Sequence, residues 1–334
     1  MAYNQNSGYG QALVNAVRAQ IPFFGKIFVV LDPDDTDEEN YDRLTEIYPP
    51  DPAGIVRFYT SLSNAYDATE SNNNDVIVLD GNSTHTLSAM LSVTKNRVHF
   101  VSMEYLAGIR RRYGHSTKIS LGVTTAATDL GTISCTGVRC SFRGMKIINN
   151  NTVAQGIYSF VDGGEYTYLD CCEIYKSTDL NVTGAAELVA NGDSSHYKRC
   201  YIGSTANALT GAVIRPCVTV TGGLAATGKK ARDVTFEDCI FARKCGNTAN
   251  RFVYGANATD VERLMYFKDC LFYNNLLAAA DPAEGIDFGA AQTEGSVILK
   301  GCASVSTTAL ATQTGIFSAD PASDAAGGES TQMA

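Results

Sequence analysis

The sequence predicts an all-β solenoid, a stack of short coils, and three observations carry that reading. Six stretches hold a cysteine in nearly the same local frame: GVRCSF, LDCCEI, YKRCYI, FEDCIF, FKDCLF and LKGCAS. Their reference residues are Cys140, Cys172, Cys200, Cys239, Cys270 and Cys302, at intervals of 28–39 residues. The second observation is what flanks them. Two positions on stand Phe142, Ile174, Ile202, Phe241 and Phe272, with Ser304 the exception. Three positions before stand Leu169, Tyr197, Phe236, Phe267 and Leu299, with Gly137 the exception. The third is alternation. VTFEDCIF and MYFKDCLF switch between apolar and polar with period two, the pattern of a strand with one face inward. A short β unit recurring every few tens of residues is a solenoid signature.

The elements follow in order. YGQALVNAVRAQ, residues 9–20, spaces Leu13, Val17 and Ile21 as a helical stripe that Pro22 ends. Ile27 to Leu31 reads as a strand, and the acidic segment DPDDTDEENYD comes next. Phe58, Leu62, Ala65 and Ala68 then predict a second short helix. These pieces are expected to form an anchor and helical cap over residues 1–70, because an open solenoid end exposes backbone edges and core. Coils are expected over 71–305, with rungs near 76, 98, 119, 138, 168, 197, 236, 267 and 299. Nine rungs at ~4.8 Å each make a rod on the order of 40 Å long. The widest interval, Cys200 to Cys239, holds an insertion over 206–232 that is expected to project as a loop. Residues 306–334, rich in Ala, Ser, Thr and Gly, are expected to be a tail or final cap.

Composition narrows the function classes. A net charge of −9 argues against a nucleic-acid groove and fits a soluble, self-repelling surface protein. The opening MAYNQNSGYG has no basic segment followed by an apolar one, so no signal peptide is expected. The run Ile21 to Leu31 is too short for a span and contains Lys26, so no membrane segment is expected. The cysteines read as a packing ladder, since free cysteine behaves as a small buried hydrophobe. No C-x-x-C occurs, and His196 with Cys200 is the one close His/Cys pair, so zinc is not expected.

RFYTSLSNAYDA, NDVIVLDGNSTHTLS and NRVHFVSM together resemble the right-handed parallel β-helix proteins of the pectate-lyase-like superfamily. Within it the chain looks most like β-helical structural proteins of tailed bacteriophages, on Val76 to Leu79, Asp80, Gly81, His85 and Thr86. The likeness covers residues 24–150, and the remainder only through the coil pattern. It implies a right-handed single-stranded parallel β-helix with an N-terminal helical cap. It also implies a virion structural protein, a capsid-surface decoration or head-fibre component assembled in the host cytoplasm. The expected partners are two further copies in a homotrimer, and the major capsid protein or other virion proteins. On this reading the chain is not an enzyme and needs no cofactor. The alternative is a tailspike or receptor-binding protein that binds or cleaves a host surface polysaccharide; a free carbohydrate-active enzyme ranks below both.

Glycoside hydrolysis needs paired carboxylates. The candidates are Asp162, Glu165, Asp170 and Glu173, with Glu237, Asp238 and Asp269 on neighbouring rungs. If the chain were an enzyme, Asp170, Glu237 and Asp269 would be its set; otherwise these residues are a solvated face before a turn. The Asn-Thr-Asp, Asp-Asp and Gly-His-Gly markers of polygalacturonase-like sites are absent as a set, and tryptophan is absent. Asp32, Asp34 and Asp37 offer an irregular calcium site. The EF-hand pattern fails, because Asp37 and Arg43 stand where Gly and Glu are required. A solvated acidic loop is the preferred reading, with no metal. Arg110, Arg111 and Arg112, with Lys95, Arg97 and His115, form a basic clump expected to be a subunit contact facing the acidic segment. Gly222-Gly223 lacks the context of a phosphate loop. His85 and His99 are expected to be ordinary hydrogen-bonded rung residues.

Overall fold

A computed structural model describes residues 8–31, 56–122, 131–151, 157–178, 182, 184–209, 213–220, 229–275, 282–289, 291–311 and 314–318. The chain winds as a parallel β-helix. A complete coil contributes a strand to sheet A, then sheet B, then sheet C, and among the described residues these sheets hold eleven, eight and seven strands. All strand pairings are parallel and in register between successive coils, for example Tyr168↔His196, Glu173↔Tyr201 and Leu188↔Val218. Right-handed winding follows the hand that parallel crossovers adopt.

The corner from sheet A to sheet B is two residues long and explains the cysteine frame. Its first residue is left-handed in six coils: Gly144, Cys171, Arg199, Asp238, Asp269 and Gly301, with φ between 51° and 69°. Its second residue points inward and stacks coil on coil: Met145, Cys172, Cys200, Cys239, Cys270 and Cys302. Cys140 is therefore not a member of the ladder. It precedes the strand Ser141–Arg143, and Tyr168 pairs with Ser141, so Cys140 aligns with Thr167. With Met145 as the reference, Phe142 takes the place of the exceptional Gly137 and Ile147 joins the row two positions on.

All ten cysteines are free and buried. The ladder thiols each donate to a backbone carbonyl of the preceding coil. Cys172 reaches Phe142 at 3.3 Å, Cys200 reaches Leu169 at 3.8 Å, and Cys239 reaches Tyr197 at 3.3 Å. Cys270 reaches Phe236 and Cys302 reaches Phe267, both at 3.5 Å. Aromatic rings stack beside them, with Tyr197–Phe236 centroids 4.6 Å apart and Phe236–Phe267 4.9 Å apart. In-register stacking forces like side chains together, so offset stacked rings recur along the bore.

The N-terminal region uses two helices differently. Helix α1 (Gly8–Gln20) lies on the outer face of sheet A, where Val17 and Ile21 bury against Ile27, Val29, Val76, Val78 and Val101. Helix α2 (Leu62–Ala68) closes the bore, with Leu62, Ala65 and Tyr66 packed against Phe28, Ile77 and Phe100. Ser61 caps its start by accepting from the Asn64 amide. Lys95 caps its end by donating to the carbonyls of Tyr66, Asp67 and Thr69 at 2.8–2.9 Å.

Several expectations need correction. Phe58 lies in a strand, Val56–Tyr59, which pairs with Ile27–Val30 at the edge of sheet A rather than extending the helix. The rung near 119 is the sheet B strand Lys118–Leu121 of the coil that His99–Ser102 begins. Among the described residues, seven sheet C strands thus mark seven complete coils, not nine equivalent rungs. The 206–232 insertion contains a sheet C strand, Val218–Val220, so it is partly wall. Ile316–Ser318 extends sheet A into the expected tail. No helix among the described residues is long and apolar enough to cross a membrane.

Candidate functional site

Strand alternation gives sheet A two outward rows. One runs Ser141, Tyr168, His196, Thr235, Tyr266, and the other runs Arg143, Asp170, Lys198, Glu237, Lys268. Asp170 and Glu237 thus share a row with Lys198 between them, two coils or about 10 Å apart along the backbone. Asp170 is buried and saturated. It accepts from Arg199 Nε at 2.9 Å, from the Tyr105 hydroxyl at 2.7 Å and from the Tyr168 hydroxyl at 3.3 Å. Burial opposes the charged form, yet the Arg199 and Tyr105 hydrogen bonds hold this carboxyl below its ordinary value. Glu237 accepts from Lys268 at 2.9 Å and Lys198 at 3.0 Å, which push it down to about 2. A glycosidic leaving group needs a protonated acid. Both carboxylates are instead held ionised.

The remaining sequence candidates do not join them. Asp269 is exposed at the sheet A to sheet B corner. Asp238, at the same corner, accepts from Arg112. Asp162 faces the core, where burial raises it and the Tyr197 hydroxyl donates at 2.5 Å. Glu173 accepts from the Gly114 amide at 2.9 Å and lies 3.5 Å from Lys146. The expected trio of Asp170, Glu237 and Asp269 is therefore not assembled around one point.

The three arginines are engaged within the chain. Helix α3 (Met103–Leu106) and the segment after it run along the sheet A to sheet B corner as a strap. Arg110 sits over the Tyr105 ring at 5.2 Å, Arg111 pairs with Glu104 at 3.4 Å, and Arg112 reaches Asp238. His85 shares a 2.9 Å hydrogen bond with Ser83 and His99 one with Ser141, also 2.9 Å. Asp32, Asp34 and Asp37 lie outside the described residues, and among the described residues no His/Cys/Asp/Glu group could hold a metal ion.

The corner from sheet C to sheet A carries a concave site. Single-residue bridges stack Glu165 on Asp193 and Asp193 on Arg232, and Ala231↔Val261 brings Glu262 next. These residues line a groove of ≈ 430 Å³ with Lys229, Lys230 and Glu294. Its ion pairs are mostly loose. Lys229–Glu165, Arg232–Asp193 and Arg232–Glu262 each span 3.9 Å, while Lys230–Glu294 is 2.6 Å. Loose, partly exposed pairs contribute little stability and exchange readily for ligand hydroxyls or water. Tyr166, next in sequence to Glu165, is 52% exposed, with φ 55° and the Arg139 guanidinium over its ring.

Sequence reasoning singled out only Glu165 of this groove. A signal was present. Glu165, Asp193 and Arg232 each stand seven residues before a ladder cysteine, and Glu262 and Glu294 each stand eight before.

No family model matches the sequence, and no curated protein matches it. Solved structures match on fold. A pectin methylesterase mutant in complex with a hexasaccharide aligns with TM-score 0.51 and 10% identity, covering 88% of this chain and 80% of its own. A pectin methylesterase from Aspergillus niger aligns with TM-score 0.52 and 11% identity, covering 88% and 84%. A second form of the Aspergillus niger enzyme aligns with TM-score 0.50 and 12% identity over the same shares. Identities this low establish the right-handed parallel β-helix and nothing finer. The expectation of a non-enzyme is corrected to that extent: the solved structures sharing this rod are named as pectin methylesterases, so the fold gives no ground for excluding catalysis.

Proposed function

We propose that this chain is a β-helical protein of the tailspike or receptor-binding kind that holds a host surface polysaccharide along the groove between sheets C and A. The observation that carries this reading is the groove itself, ≈ 430 Å³ and lined by Glu165, Asp193, Arg232, Glu262 and their lysine partners. Alternating donors and acceptors at a coil repeat of ~4.8 Å suit an elongated, hydroxyl-rich chain lying along the rod. The exposed ring of Tyr166, which follows the groove residue Glu165 in sequence, offers a sugar face an apolar platform. Glu165 and Asp193 are the carboxylates placed to act on a bound chain. They occupy adjacent coils, a backbone separation of ~4.8 Å that suits two carboxyl groups flanking one glycosidic bond.

A glycan array followed by calorimetry on the hits tests the binding. The expected result is a ligand whose affinity falls at least tenfold in Tyr166→Ala and Arg232→Ala. Absence of any polysaccharide ligand, or affinity untouched by both variants, would sink the proposal. Release of reducing ends from the bound glycan, lost in Glu165→Gln with binding kept, would add cleavage.

A place on a phage particle, as a homotrimer, belongs to the same proposal and is supported by the likeness of residues 24–150 to phage β-helices. Quantitative mass spectrometry of purified particles tests it. A few to a few tens of copies fits the tail. Hundreds would place the chain on the shell as a decoration, and absence would remove it from the virion.

A further inference from the structure

We propose that the polysaccharide held in the groove carries an anionic substituent, a carboxylate or a phosphate, and that Arg97 and Arg139 read it. The inference rests on the glycan-binding reading above and names its substrate class. It comes from the row beside the groove, at the corner that leads into sheet A. Counting two residues back from the paired strand residues Val76, His99, Ser141, Tyr168, His196 and Thr235 aligns Asn74, Arg97, Arg139, Tyr166, Ser194 and Asp233. Every member is left-handed, with φ between 52° and 59°. The amides of Arg97, Arg139, Tyr166 and Ser194 donate to Val138, Glu165, Asp193 and Arg232 of the next coil at 2.7–2.8 Å. Glycine takes this conformation without strain, and the row holds none. Asn and Asp tolerate it; Arg and Tyr do so at a cost. The costly members, Arg97, Arg139 and Tyr166, are consecutive, so the strain is accepted there for the side chains.

Arg199, the left-handed arginine of the sheet A to sheet B corner, is accounted for by its grip on Asp170. Arg97 and Arg139 have no such partner. Among the described residues neither guanidinium enters an ion pair, and the contact that Arg139 makes is with the Tyr166 ring, 5.4 Å to its centroid. Arg139 is exposed and Arg97 half-buried. His99, beside Arg97, adds no charge at neutral pH, because burial, with Arg143 and Arg97 nearby, pushes it down to about 4.

The groove does not itself supply a site for negative charge. Its lining sets Glu165, Asp193, Glu262 and Glu294 against Lys229, Lys230 and Arg232. Each of those cations already stands 3.9 Å or less from a carboxylate. An anionic sugar therefore finds its counter-charge beyond that lining. The bridge Val138↔Glu165 sets Arg139 one coil from Tyr166, and Arg97 lies one coil further. Two guanidinium forks ~4.8 Å apart along the axis suit the oxygens of a carboxylate or a phosphate. A chain that leaves the groove over Tyr166 reaches them with its next sugars.

The probes are the glycans that the array captures, each in native form, after carbodiimide and borohydride reduction of its carboxylates, and after hydrofluoric acid removal of its phosphate substituents. Calorimetry on the wild-type chain is expected to show affinity falling by about tenfold or more with one treatment, the effect of losing a charge-assisted hydrogen bond. Which treatment does so identifies the anionic group. The double variant Arg97→Gln, Arg139→Gln is expected to lose the same factor on the native glycan and to bind native and neutralised forms alike. Added salt is expected to weaken the native glycan more than the neutralised one. Equal wild-type affinity for every form overturns the proposal and leaves the groove reading standing, as does a double variant that still prefers the native form. A chain that binds no glycan at all removes both. If the double variant does not fold, Arg139→Gln, at the exposed position, is measured in its place.

Discussion

Arg199 reaches back one coil to grip Asp170, with Nε at 2.9 Å and Nη2 at 2.7 Å from Oδ1. The pair ties two rungs of sheet A together beneath Tyr105. Arg199→Met would leave a buried carboxylate supported by neutral donors, the Tyr105 and Tyr168 hydroxyls and Cys171. We expect a loss of about 3 kcal/mol at neutral pH, read by denaturant melts. The sign of the pH effect follows from the lowered Asp170 pKa. The pair stabilises above the unfolded value, about 3.9, and its contribution is lost as pH falls through the folded value. The wild-type and Arg199→Met curves should therefore converge in acid. A gap that stays constant down to pH 2 would rule out this account.

His99 works in a different window. Burial, then Arg143 and Arg97, push it down from 6.5 to about 4. The unfolded chain binds its proton as pH drops below about 6.5, while the folded chain does not until about 4. Stability therefore declines across that interval, by roughly 2–4 kcal/mol in total, and levels off below it. His99→Gln should flatten the slope between pH 6.5 and 4. Direct titration of the imidazole by NMR is the check; a midpoint near 6.5 would contradict the burial argument.

The strap over the sheet A to sheet B corner depends on Arg112, which donates to Asp238 four sheet A strands away from Ser102. Both partners are more than a third exposed, so the pair adds little to global stability. Arg112→Ala should leave the melting temperature within a degree or two and speed trypsin cleavage after Arg110 or Arg111. Unchanged cleavage would mean that Tyr105 packing and the Gly114–Glu173 contact hold the strap without Arg112.

The thiols should be silent in the folded protein. Burial pushes Cys172, Cys200 and Cys217 up, while against burial hydrogen bonds from neighbouring thiols lower Cys140 and Cys270; all ten are buried, so denied access is what keeps the set unreactive. A thiol reagent should label none of them at neutral pH and all ten in guanidinium. Rapid labelling of any one without denaturant would show that a coil opens locally.

How far the fold could be read in advance depended on which interactions repeat. Five ladder cysteines share a frame because the corner they close has the same left-handed shape in each of their coils. Cys140 imitated that frame by chance of its neighbours, and Met145, which holds the position, carried no cysteine to mark it. The coil that begins at His99 is long because α3 and the strap are inserted between its sheet A and sheet B strands, which made Lys118–Leu121 look like a rung of its own. Asp170 and Glu237 were legible as members of one row, each two residues before a ladder cysteine, but their neutralisation was not. Arg199 acts from the next coil, and Lys198 and Lys268 act from either side of Glu237. The groove was harder still. Its members come from five coils whose connecting loops differ in length, so only a count back from the ladder residue aligns them.

The six left-handed corner residues have a bearing on how such a chain can change. Each bends the backbone the same way and hands it to an equivalent thiol or thioether, so neighbouring coils are interchangeable at that junction. Cutting out residues 172–199 would join Cys171 to Cys200 and let Tyr201–Gly203 take the seat of Glu173–Lys176 on Lys146–Asn149. The rod would lose one pitch and keep its grammar. Rod length is thus adjustable by whole coils with both ends kept, but each coil removed from this stretch also takes a member out of the groove, here Asn191 and Asp193.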